Sequence, residues 1–170
     1  VFPTETSYGF AADATNNNAV EKVMEIKGRE LWKTPPLIVA NRQMADKYLF
    51  INKKTNKLIN KYWPGPLTVV GDIKDKNLLS EYVVRDGTIA LRVSESEIAV
   101  QLSLGVDGPI VATSANISGK DACFSVDCVK KQLKTQLLQP DLYLDVGLLE
   151  HKPASTIITE KNGEICCQRI

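Results

Sequence analysis

Short apolar runs alternating with stretches of helical period constrain this chain more than any other feature. PLIVA (36–40), PLTVVGDI (66–73), TIALRVS (88–94), the strand at 109–113 and LYLDV (142–146) have the length and β-branched content of strands. Between them, Ala19, Val20, Val23, Met24 and Ile26 form an apolar stripe of helical period, with Asn18 and Glu21 placed as an N-cap and its N3 partner. Residues 42–50, 53–62, 95–104 and 125–137 read as further helices, the last with Val126, Val129, Leu133 and Leu137 on one side. Strands and helices interleave, so the class is α/β. Residues 155–159 and 164–169, joined around Asn162-Gly163, read as a hairpin, which predicts a mixed rather than an all-parallel sheet. Val1 opens in what reads as a strand and without Met, so a short N-terminal segment is expected upstream of a single domain spanning 1–170.

Composition excludes several classes. The net charge of +1 gives no global drive toward nucleic acid or a membrane surface, so any basic site is local. No run is long and apolar enough for a membrane span, and no signal-peptide pattern opens the sequence. His151 is the single histidine, which argues against a histidine triad or a multi-histidine metal site. Cys123, Cys128, Cys166 and Cys167 do not form a paired C-x-x-C framework and are expected as reduced cysteines of a cytoplasmic protein.

The residues that carry chemistry sit at the ends of the apolar runs, where open α/β folds place ligands. In PIVATSANISGK (109–120) a buried strand breaks into Thr113, Ser114, Asn116 and Ser118. In MEIKGRE (24–30), Gly28 can end a helix in the left-handed conformation, which would bring Lys27 and Arg29 onto one anion; two solvated cations favoured by the helix dipole are the alternative. FPTETSYGF (2–10) is a hydroxyl-rich turn that either clamps a small polar ligand or satisfies its own backbone. Arg92 lies within an apolar strand, so it is either in an ion pair or facing a ligand carboxylate in a cleft. Trp63-Pro64-Gly65-Pro66 reads as a structural turn, and PASTII (153–158) repeats the hydroxyls-into-strand pattern. With no acid cluster of metal spacing and no activated nucleophile, this set binds anions and orients reactants rather than forming a covalent intermediate.

Seven of these motifs, in order along nearly the whole chain, resemble the YrdC-like family of threonylcarbamoyl-AMP synthases: PTETSYGF, KGR, WPGPLT, ALRVS, TSANISG, STII and the final strand CQRI. The resemblance implies a single twisted mixed sheet with flanking helices around a concave, positively lined cleft. It implies synthesis of threonylcarbamoyl-adenylate and pyrophosphate from L-threonine, bicarbonate or CO2 and ATP, with Mg²⁺ travelling on the triphosphate and no dedicated protein metal site. A partner transferase complex would then modify an adenosine next to the anticodon of tRNA. Residue by residue, it implies Lys27, Arg29, Ser114 and Asn116 as the active-site set. It places threonine against Thr6, Arg92, Ser114 and Ser155, and ATP near Lys27, Arg29, Lys33, Thr88, Asn116 and Arg169. The chain departs from the family pattern at Glu30 and Ser94, which replace prolines, and at Ala40, where many members carry histidine. Two alternatives stand beside this reading: a module binding double-stranded RNA or tRNA, and the YrdC-like domain of a hydrogenase-maturation carbamoyltransferase.

Overall fold

The computed structural model describes residues 1–161 and 164–169, without the side chains at 160, 161 and 169. The Asn162-Gly163 turn and the Arg169 side chain, both singled out from the sequence, lie outside the described residues. The strands are β1 (Phe2–Pro3), β2 (Tyr8–Asp13), β3 (Leu37–Val39), β4 (Leu67–Asp72), β5 (Thr88–Val93), β6 (Ile110–Ser114), β7 (Thr156–Lys161) and β8 (Glu164–Arg169). The helices are α1 (Asn17–Lys27), α2 (Arg42–Tyr48), α3 (Lys53–Tyr62), α4 (Glu97–Gly105) and α5 (Val126–Leu133). The strands join in one sheet of order β1-β2-β6-β3-β5-β4-β7-β8. The β3–β5 and β4–β7 pairs are parallel and the others antiparallel, giving the mixed sheet expected from the terminal hairpin.

Each helix starts where a short polar side chain can accept from an otherwise unpaired backbone N–H. Asn16, Asn41, Asn52, Ser96 and Ser125 are the N-caps. The first helix therefore starts two residues before the expected Asn18 cap; the Asn16 side chain accepts from Ala19 N at 3.2 Å. Three consecutive asparagines offer equivalent caps, and the one that leaves Val20 and Val23 facing the core is used.

Strand alternation sorts the sheet into two faces. Leu67, Val69, Ile89, Leu91, Val93 and Val111 join the main core with Val20, Val23 and Ile26 of α1, Met44 and Ala45 of α2, Ile59 of α3 and Val129 and Leu133 of α5. On the other face, Phe2, Ile38 and Ile110 pack with Ala99 of α4 in a second, smaller core. The rest of that second face is lined by small or polar side chains and forms a cleft.

Two expectations are corrected. LYLDV (142–146) is not a strand: it runs beside the chain start, bonded to Val1 through Val1 N to Leu142 O at 2.7 Å and Leu144 N to Val1 O at 2.9 Å. Its apolar alternation instead serves both cores, with Tyr143 against the larger and Leu144 against the smaller. Cys123 and Cys128 are not reduced but form a disulfide with Cα atoms 5.5 Å apart. The Ser125 cap starts α5 between them, so Cys128 in the first turn folds back onto Cys123. Cys166 and Cys167 are exposed on β8. Among the described residues, no helix is long and apolar enough to cross a membrane, and no group of three or more His, Cys, Asp or Glu could hold a metal ion.

Candidate active site

The cleft is a cavity of about 1020 Å³ on the sheet face left open beside α4. Its floor follows the two-residue period: Thr68 and Val70 from β4, Thr88, Ala90 and Arg92 from β5, and Ala112 and Ser114 from β6. Alanines where bulky residues would otherwise fill the space leave room for a ligand. Thr6 and Ser7 close one side, Arg29 and Thr34 another, and Lys152, Ser155 and Phe124 the C-terminal side.

The structure brings Thr6, Arg29, Thr88, Arg92, Ser114 and Ser155 to this one cavity. Thr4 Oγ1 accepts from the backbone N–H groups of Thr6 and Ser7, both at 3.2 Å, and donates to Ser7 O at 2.7 Å. Thr4 thus stabilises its own turn and presents Thr6, whose hydroxyl lies 3.1 Å from that of Thr4. Ser155 Oγ is 3.0 Å from Thr68 Oγ1, which ties the C-terminal segment to the floor.

Lys27 and Arg29 bond to neighbouring residues at the end of β6, Ser114 and Thr113. Gly28 ends α1 at φ 60, and the N–H groups of Gly28 and Arg29 bond back to Glu25 O and Met24 O. Arg29 reaches the cleft, held by Nε to Lys33 O at 2.6 Å, Nη2 to Thr34 O at 3.1 Å and Nη1 to Thr113 Oγ1 at 3.4 Å. Lys27 is 4% exposed, does not line the cavity, and donates to Ser114 O (2.5 Å), Ser114 Oγ (3.3 Å), Asn116 O (3.1 Å) and Asn116 Oδ1 (3.1 Å). Burial, and secondarily the charge of Arg29, lower its pKa to about 8.

Asn116 is likewise buried and outside the cavity lining. Its Nδ2 donates to Ile117 O at 2.9 Å and Lys120 O at 2.7 Å. Lys27 and Asn116 brace the end of β6, and Ser114 is the member of that cluster that faces the cleft. Lys33, expected near ATP, is exposed, pairs with Glu30 at 2.5 Å and does not line the cavity.

Arg92 is in the ion pair that its place in an apolar strand allowed, and it also borders the cleft. The pair with Glu5 is buried, both side chains being 7% exposed. Ser94, one of the departures from the family pattern, donates to the same carboxylate at 2.9 Å.

Two further cleft cations were not read from the sequence. Arg85 precedes an Asp86-Gly87 turn with φ of 48 and 74 and is bridged to Thr88; the D-G dipeptide ahead of a strand was the available signal. Lys152 lies in a segment without regular structure, pinned by Leu149 N to Phe124 O at 2.8 Å and by His151 stacked on Phe124 with ring centroids 3.5 Å apart. Nothing in its local pattern marks it.

One mixed sheet with a cleft on one face, bordered by arginines and hydroxyls, defines the class of α/β protein. Within it, the family model for Sua5/YciO/YrdC, described as telomere recombination, matches residues 1–170, and the chain belongs to that family. It is 36% identical to a Methanocaldococcus jannaschii relative over 95% of this chain and 74% of that one. It is 33% identical to a threonylcarbamoyl-AMP synthase of Psychromonas ingrahamii, over 81% and 73% of the two chains. The crystal structure of Pyrococcus abyssi Sua5 complexed with L-threonine superposes with a TM-score of 0.88 at 30% identity, covering 99% of this chain and 48% of that one. The chain thus spans about half the length of that solved structure.

Proposed function

We propose that this chain makes threonylcarbamoyl-adenylate from L-threonine, bicarbonate or CO2, and ATP, releasing pyrophosphate. The observation that carries the reading is one cavity holding Arg92 among hydroxyl side chains that include Thr6, Ser114 and Ser155, with further cations, in a chain whose relatives include named synthases of this product. The threonine amine adds to CO2 to give a carbamate. A carbamate oxygen then attacks the α-phosphorus of ATP, and the bond to the β-phosphate oxygen breaks as pyrophosphate leaves.

Arg92, with Thr6, Ser114 and Ser155 around it, takes the threonine side. Arg29 and Thr88 take the nucleotide side, with Arg85 and Lys152 available to the phosphates. Lys27 and Asn116 act on the reaction by fixing Ser114. Three anions must meet for this reaction, so aligning them and neutralising their charge supplies most of the acceleration. Mg²⁺ enters bound to the triphosphate substrate. The adenylate passes to a transferase that modifies tRNA.

Arg92→Ala tests the division of the cleft. The threonine KM is expected to rise at least about tenfold more than the ATP KM, since the lost contact is to a carboxylate. Equal changes for both substrates would contradict the assignment of Arg92 to threonine.

A further inference from the structure

Arg92 presents its guanidinium to the cleft, but the groups that orient it lie behind the cavity wall. Glu5 sits in the turn between β1 and β2, 87 residues away in sequence, and does not itself line the cavity. One of its carboxylate oxygens accepts from Arg92 Nη1 and the other from Ser94 Oγ at 2.9 Å. Arg92 and Ser94 are two residues apart, so they project from the same side of the chain at the end of β5. The carboxylate spans both. Ser94 is 1% exposed, and its hydroxyl oxygen also accepts from Ser96 N at 3.2 Å, which fixes it at the start of α4.

We propose that Glu5, held by Ser94, is a positioning residue for the amino-acid substrate: it fixes the Arg92 guanidinium in the orientation that receives the substrate carboxylate. This rests on the reading of the cleft as a threonine site. A long arginine side chain has much rotamer freedom to lose, and anchoring one edge of its planar fork removes that freedom before substrate arrives. Glu5 also supplies a compensating negative charge to this buried guanidinium. The hydroxyl of Ser94 supplies what the carboxylate needs to stay aimed, since a single bond would leave it free to rotate. The carboxylate of threonine does not react, so loosening its receptor weakens binding of ground state and transition state alike. The effect falls on KM rather than kcat.

Charge-conserving variants separate position from charge. Glu5→Asp keeps the anion but is one methylene too short to span both partners, and Ser94→Ala keeps the Glu5–Arg92 pair while removing its brace. The expected result is a threonine KM raised about tenfold by Glu5→Asp and about threefold by Ser94→Ala, with kcat and the ATP KM within about twofold of wild type. Threonine calorimetry on the wild-type chain comes first. Absence of threonine binding there would overturn both this inference and the reading it rests on. Wild-type binding matched by both variants, or ATP and threonine constants moving together, would overturn the positioning role alone. If Glu5→Asp fails to fold, Ser94→Ala decides, because it removes one hydroxyl and leaves the ion pair in place.

Discussion

Lys27 shows how one buried cation can order the end of a strand. Its three ammonium protons face four acceptors on Ser114 and Asn116, so replacing it strands buried oxygens at the end of β6. Lys27→Met is expected to cost about 3 kcal/mol of stability, read by denaturant midpoint, alongside loss of adenylate formation. Unchanged stability would contradict the bracing role. Its titration separates stability from activity. The pKa in the folded chain is about 8, below the ordinary 10.5 of the unfolded one. Between those values the unfolded chain binds more protons, so this group's contribution makes the fold more stable as pH rises from 8 toward 10.5. Over the same range Lys27 loses a donor and its grip on Ser114 weakens. Turnover at saturating threonine should therefore fall above pH about 8 while the thermal midpoint does not fall with it; a turnover that climbs through that window would sink the argument. Arg92 was legible as a cation within an apolar strand, and Thr88 came only from the family resemblance. The partner of Arg92 was not legible, because Glu5 reaches it only through the fold, and no local pattern encodes a contact across 87 residues.

At the scale of elements, helices were legible from apolar stripes and most strands from β-branched runs, but the last helix stops at Leu133 rather than at 137 and leaves Leu137 exposed, and β2 was not read as a strand. LYLDV misled because alternation reports two different surroundings and not a ladder partner; here the two sides are the two cores. The loop after β6 carries Ala122 and Phe124 into the cleft wall and is closed by the Cys123–Cys128 bridge. A bridge of sequence separation 5 confines a short loop, so reduction is expected to remove about 2 kcal/mol of stability. Thermal midpoints with and without a dithiol reductant check this, with Cys128→Ser as the genetic equivalent. A midpoint indifferent to both would show that α5 packing through Val126, Val129 and Leu133 holds the loop without the bridge.

For the whole molecule, the sheet order could not be read from the chain, because periodicity specifies faces and not neighbours. Yet that order places the cleft. The antiparallel β2–β6 pair and the β3–β5–β4 set bring Thr6, Ser114, Arg92 and Thr68 to one face, while β7 delivers Ser155 to the same cavity through its parallel pairing with β4. Motifs that are separate in sequence become one site only there. The central claim is that this site joins threonine to AMP through a carbamate. The measurement that tests it most directly is pyrophosphate release from ATP, Mg²⁺ and bicarbonate, with and without L-threonine. The account predicts release that requires L-threonine and is lost when serine or glycine replaces it. Release indifferent to the amino acid, or none from folded chain that binds ATP, would contradict it.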